Sequence, residues 1–139
     1  MIEFLLNPGS GVSPYLQIVQ QVRQALRLGL LREGDRLPTI KAVVAQLAIN
    51  PNTVLKAYRE LEHEGLVEPR PGAGTFVRRT LADDTVSAHE PLRADLRAWL
   101  DRAWRAGLDD DSIEALFWTT FRGAQRGAQQ EGGGKEDVA

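Results

Sequence analysis

The chain has 139 residues, 42% of them hydrophobic and 26% charged, a balance suited to a small globular domain with or without an appendage. It has no cysteine for a disulfide or thiolate metal site, and no apolar run nears the roughly 20 residues of a membrane span, so a cytoplasmic protein without membrane attachment is expected. The net charge of −2 hides an asymmetry: residues 1–80 carry 10 Lys/Arg against 7 Asp/Glu and residues 81–139 carry 7 against 12, so a polyanion would meet the first half.

In chain order, residues 1–12, MIEFLLNPGSGV, end in an Asn-Pro-Gly-Ser-Gly loop and read as a short strand or arm. Ser13 then caps a first helix with Pro14 at its first position. Tyr15, Ile18, Val19, Val22, Ala25 and Leu26 form its apolar face, and Gly29 stops it. A polar connector, REGDRLP, leads to a short helix from Thr39 through Leu47. After a tight turn, Asn50 caps a third helix with Pro51 at its first position, and Gly65 closes it. Two β-type runs, Leu66–Arg70 and Thr75–Arg78, flank Pro71-Gly72-Ala73-Gly74 and predict a hairpin.

Residues 80–91 are polar and read as a linker. Leu92, Leu96, Trp99, Leu100 and Ala103 mark a fourth helix, and Ile113, Leu116, Phe117, Thr120, Phe121 and Ala124 a fifth. The tail, 129–139, is poor in apolar residues and is expected to be disordered. The fold class is therefore mainly α with a small β-hairpin: a winged helix-turn-helix over 1–79, then a two-helix hairpin over 92–128.

The third helix has two faces. Val54, Tyr58 and Leu61 point one way, with Ala57 at the margin, while Asn52, Leu55, Lys56 and Arg59 form a stripe on the other side. Asn pairs with adenine, Lys reaches guanine acceptors or phosphate, and Leu meets a thymine methyl, so the stripe suits a helix laid in the major groove of double-stranded DNA. In the wing, Gly72 and Gly74 permit positive φ and close backbone approach, and Arg70, Arg78 and Arg79 flank them.

Residues 15–77 resemble the DNA-binding domain of the GntR family of bacterial transcription regulators, through GDRLPT (34–39), NTV (52–54) and LEHEGLVEPRPGAGTFV (61–77). NPNTVLKAY and the short C-terminal part resemble the YtrA-type subfamily. The resemblance implies a repressor, often of transporter operons, with DNA contacts at Lys41, Asn50, Asn52, Thr53 and Gly72. Thr39, Leu55, Lys56, Arg59, Arg70 and Gly74 complete the candidate interface. Two departures bear on operator choice: many members carry arginine where this chain has Pro51 and Leu55. Ala48 also stands at a turn position where glycine is usual, which costs on the order of 1 kcal/mol if its backbone is left-handed.

The last two helices hold more aromatic surface than a two-helix hairpin can hide. Trp99, Phe117 and Phe121 lie on the main stripes and Trp104 and Trp118 off them, which predicts a homodimer through a four-helix cluster. Asp109, Asp110 and Asp111 read as a helix cap rather than a metal site. No P-loop, GxGxxG or Ser/His/Asp set suggests an enzyme, and no cofactor is expected. A regulator fused to an aminotransferase domain is disfavoured by the chain length. Two readings remain: a DNA-binding regulator, whose effector is unknown, and a winged-helix adaptor that binds protein instead of DNA.

Overall fold

The computed structural model describes the backbone of residues 2–81 and 89–136, and side chains as far as Gln130. Two compact units divide the chain between His89 and Glu90. Most of the expected linker lies outside the described residues, as do the last residues of the expected tail.

In the first unit, α1 spans Pro14–Arg27, α2 Ile40–Leu47 and α3 Pro51–His63, followed by β1 (Val67–Arg70) and β2 (Gly74–Val77). The apolar spacing of α1 puts Ile18, Val19, Val22 and Leu26 fully inside. Val43 of α2 and Val54, Ala57 and Leu61 of α3 complete the same core, with Leu66, Val67 and Val77 beneath the wing. Ala57 thus lies at the centre of the buried face rather than at its margin: it has no exposed surface, because its small side chain lets α3 approach its neighbours closely.

β1 and β2 pair antiparallel, Val67 opposite Val77 and Arg70 opposite Gly74. The connector before α2 adds a short third edge. Arg36 bridges Phe76, Leu37 N donates to Thr75 O at 2.9 Å, and Val77 N donates to Asp35 O at 2.7 Å. The wing is therefore hydrogen-bonded to the segment that leads into the helix-turn-helix.

The arm before α1 forms no strand among its described residues; its one regular element is a 3-10 turn, Pro8–Ser10. Two glutamines of α1 stand in for a strand partner. Gln21 accepts from Leu5 N at 3.0 Å and donates to Leu5 O at 2.5 Å; Gln17 does the same with Asn7 N and O. Gln17 is buried, and its amide also reaches Val12 O at 2.8 Å, so its polar atoms are satisfied inside the fold. Phe4 of the arm is 1% exposed and belongs to the core. Ser13 occupies the cap position of α1 without a capping bond from its hydroxyl.

In the second unit, α4 spans His89–Arg105 and α5 Asp110–Glu136. α4 starts earlier than the expected Leu92, because Pro91 falls in the first turn, where a missing N–H breaks no bond. The backbone of α5 is helical beyond residue 128, as far as Glu136. Gly107, at φ 91°, ends α4 with Leu108 N donating to Ala103 O at 3.1 Å. Asp109 caps α5, accepting from Ser112 N at 2.8 Å.

Candidate nucleic-acid interface

The turn before α3 and the buttresses behind it fix how the helix is presented. Ala48 ends α2 in the left-handed region, φ 53° and ψ 45°, and its N–H bonds Val44 O at 2.9 Å. Asn50 then caps α3, its side-chain oxygen accepting from Asn52 N at 2.8 Å, with Pro51 at the first helical position. Inside, the Tyr58 hydroxyl donates to Pro38 O at 2.6 Å, and burial pushes this phenol above its ordinary range. At the far end Glu64 forms a two-pronged ion pair with Arg23 of α1, with Arg23 Nε at 3.0 Å from the carboxylate.

This support leaves the opposite edge of α3 open. Asn52, Lys56 and Arg59 are exposed, and Thr53 and Leu55 are half-buried beside them. Lys41, in the first turn of α2, is exposed too, and Thr39 before it uses its hydroxyl oxygen to cap Ala42 N at 3.1 Å. No ion pair among the described residues engages Lys41, Lys56 or Arg59. The Lys56 ammonium instead stands 3.9 Å above the centre of the Tyr15 ring on α1. Asn50 is exposed, and while its oxygen serves the cap its amide nitrogen remains a donor for a ligand.

The wing divides its residues by role. Gly72 is exposed at φ 75°, with open space where a Cβ would stand. Gly74, at φ 123°, is different: a Cβ there would lie 2.9 Å from Arg36 Nε, so its missing side chain makes room for Arg36 rather than for an outside ligand. Arg70 is committed as well, with two nitrogens bonded to Glu68 Oε1 at 3.2 and 3.0 Å and its guanidinium 4.4 Å from the Phe76 ring. Arg78 and Arg79 are exposed. Arg36 and Tyr15 were not singled out from sequence as interface residues. Arg36 lies within the GDRLPT stretch, which was the one signal for it; nothing in the spacing of α1 pairs Tyr15 with a lysine 41 positions on.

Among the described residues of the second unit only Ala103 and Ile113 are buried, and the aromatic residues expected to pair copies lie open. Phe117, Trp118 and Phe121 are 39%, 50% and 44% exposed and contact one another, Phe117 stacking on Phe121 at 5.9 Å and Trp118 meeting both edge-on. Phe117 and Phe121 are thus less covered than their place on the main stripe predicts, because two helices alone cannot enclose rings of that size. Trp99 is half-buried and Trp104 half-exposed, its indole N–H donating to Asp110 Oδ1 at 2.9 Å. An apolar groove of about 370 Å³ runs between Leu96, Trp99, Leu116, Phe117 and Phe121. The aspartates at the start of α5 form no metal-holding group among the described residues.

Residues 14–77 match the gntR family of bacterial regulatory proteins. The HTH-type transcriptional repressor YtrA of Bacillus subtilis (strain 168) is 40% identical over 72 residues, which cover 52% of this chain and 55% of that protein. Of solved structures, a transcriptional antiterminator from Listeria monocytogenes EGD-e superposes with a TM-score of 0.52 at 29% identity, covering 86% of this chain and 90% of its own. YtrA from Sulfolobus acidocaldarius, a GntR-family transcription factor, gives 0.51 at 27% identity, covering 73% and 97%. The chain spans between 52% and 60% of the length of the first curated relatives it matches. Residues 14–77, which hold α1 through β2, are thus a helix-turn-helix domain of the gntR family of bacterial regulatory proteins.

Proposed function

We infer that the chain is a sequence-specific, DNA-binding transcription regulator, a cytoplasmic repressor that acts as a homodimer on a palindromic operator. The observation that carries this reading is the exposed edge of α3, where Asn52, Lys56 and Arg59 stand open on a helix whose other face is locked into the core. A helix entering the major groove needs rigid support behind and hydrogen-bonding side chains with unneutralised charge in front. Asn52 and Lys56 read bases or phosphates from the first turns, Arg59 follows the backbone, and Lys41, Thr53, Leu55 and the amide of Asn50 border them. Gly72 brings the wing backbone close to the duplex, while Gly74 and Arg70 shape the wing from behind. The name of the B. subtilis relative supports the negative sign of regulation, and the subfamily resemblance supports an operon concerned with transport.

The test is selection of bound duplexes from a random DNA pool with the full chain, followed by titration at 50–200 mM salt. A DNA reader enriches one palindromic motif and loses orders of magnitude in affinity across that range, as several phosphate contacts require. A variant with Asn52 and Lys56 both changed to Ala, folded but unable to hold the motif, supports the reading. If that variant binds as the parent does, or if no motif emerges, the protein-adaptor alternative takes its place.

A further inference from the structure

We propose that Tyr15 is a positioning residue for Lys56, holding the ammonium of the recognition helix in place for DNA without neutralising it. The inference rests on the reading of α3 as the DNA probe and deepens it. Lys56 Nζ lies 3.9 Å from the Tyr15 ring centre, well within reach of the attraction between a cation and the negative face of an aromatic ring. Tyr15 is half-buried against the core at the first turn of α1, so the ring itself is fixed by packing.

The kind of partner matters. Arg23 and Arg70 are each matched by a carboxylate, Glu64 and Glu68, which cancels their charge locally. A ring face restrains a cation but carries no net charge, so Lys56 keeps its full attraction for a phosphate or a base acceptor. A lysine on a free four-carbon stem loses much rotamer freedom when it docks. Restraint by Tyr15 removes part of that loss before DNA arrives, which turns an aromatic residue of α1 into a determinant of affinity for a surface on α3. The conservative variants separate this role from plain packing: Phe keeps the ring face, whereas Leu keeps apolar bulk and loses it.

The experiment measures binding of the full chain to the duplex that it enriches from a random pool, and to a scrambled duplex of equal length. The proteins are the parent, Tyr15→Phe, Tyr15→Leu, Lys56→Ala and the Tyr15→Leu/Lys56→Ala double variant, each checked by thermal melting. Expected are affinity within about twofold of the parent for Tyr15→Phe and a roughly two- to fivefold loss for Tyr15→Leu, the size of part of the ordering cost of one long side chain. The double variant binds no worse than Lys56→Ala alone, because the ring acts only through the lysine. Losses that multiply, a Phe variant as weak as Leu, or a Leu variant equal to the parent each overturn the proposal. If the parent prefers the selected duplex but Lys56→Ala binds as the parent does, the role of Tyr15 falls and the DNA reading stands. If the parent shows no preference between the two duplexes, the DNA reading falls and takes the proposal with it.

Discussion

The Tyr58 hydroxyl donates to the Pro38 carbonyl at 2.6 Å, joining the buried face of α3 to the residue that precedes the cap of α2. This bond couples the two helices of the helix-turn-helix where no backbone bond could do so. Tyr58→Phe leaves the buried Pro38 oxygen without its partner, and we expect a loss of about 1–3 kcal/mol in urea unfolding. The pH dependence follows from the sign of the shift. Burial raises the folded phenol above its ordinary value of 10.0, so the folded state keeps its proton where the unfolded chain has lost it. The contribution is intact below about pH 10 and declines as pH rises beyond that. The Phe variant, lacking the phenol, shows a shallower decline over the same range.

At Ala48 the chain holds a β-carbon in a left-handed conformation, φ 53°, to turn from α2 into α3. Ala48→Gly removes the clash that this geometry imposes, and we expect a gain of about 1 kcal/mol and a higher melting temperature. Operator choice stays the same, since the turn keeps its path. A lower melting temperature would show that the turn is not held as described.

What could be read beforehand, and what could not, divides along the range of the interactions. The two faces of α3, its Asn50 cap and the proline after it follow from spacing within a dozen residues, and the helix forms as they predict. The strain at Ala48 was reachable through family resemblance, because a glycine position filled by alanine is a local signal. Tyr15 against Lys56 and Arg36 against Gly74 were not reachable. Each joins residues some 40 positions apart whose meeting depends on how whole elements pack, and periodicity carries nothing about that. Residues 1–12 left strand and arm both open for a related reason: the arm forms because two glutamine side chains of α1 take the place of the backbone partner that a strand needs.

Gly74 offers a test of the wing's inner bracing. Its φ of 123° is strained for any residue with a side chain, and the added carbon would meet Arg36 Nε at 2.9 Å. Gly74→Ala should cost about 1–3 kcal/mol and weaken DNA binding by displacing the wing. Adding Arg36→Ala relieves the contact but not the backbone strain, so the double variant regains only part of the stability. Full recovery would assign the whole effect to the contact, and no loss in the single variant would remove the bracing role altogether.

Asp109 accepts hydrogen bonds from Ser112 at the start of α5, and these hold its carboxyl below the ordinary value of 3.8. Its stabilisation is therefore present above that value and lost as pH falls through the lower folded value. Far-UV circular dichroism of the full chain should show the parent losing part of its α5 helicity on acidification, a loss absent from Asp109→Asn, which accepts from the Ser112 amide but carries no titrating charge. Asp109→Ala, which lacks the cap as well, should be less helical than Asp109→Asn at every pH, and an acid-dependent loss in Asp109→Asn equal to the parent's would remove the charge from the account.

The second unit leaves Leu92, Leu96, Trp104, Leu116, Phe117, Trp118 and Phe121 each more than a third exposed, on helices that bury only Ala103 and Ile113 among their described side chains. Apolar surface on that scale is seldom left to water, and a symmetric partner would cover it with an identical hairpin. We expect light scattering to give twice the chain mass at micromolar concentration. Covering one large side chain stabilises an assembly by roughly 1.5–3 kcal/mol, and two-fold symmetry counts each substitution twice. Because these rings are already about half covered within one hairpin, Phe121→Ala should raise the dimer dissociation constant by roughly one to two orders of magnitude, and Trp118→Ala by a comparable factor. Affinity for a palindromic duplex falls in the same variants while affinity for an isolated half-site does not, because only paired copies gain from holding two sites at once. A parent chain that is monomeric at micromolar concentration would leave this apolar face to another partner and restrict each molecule to one half-site.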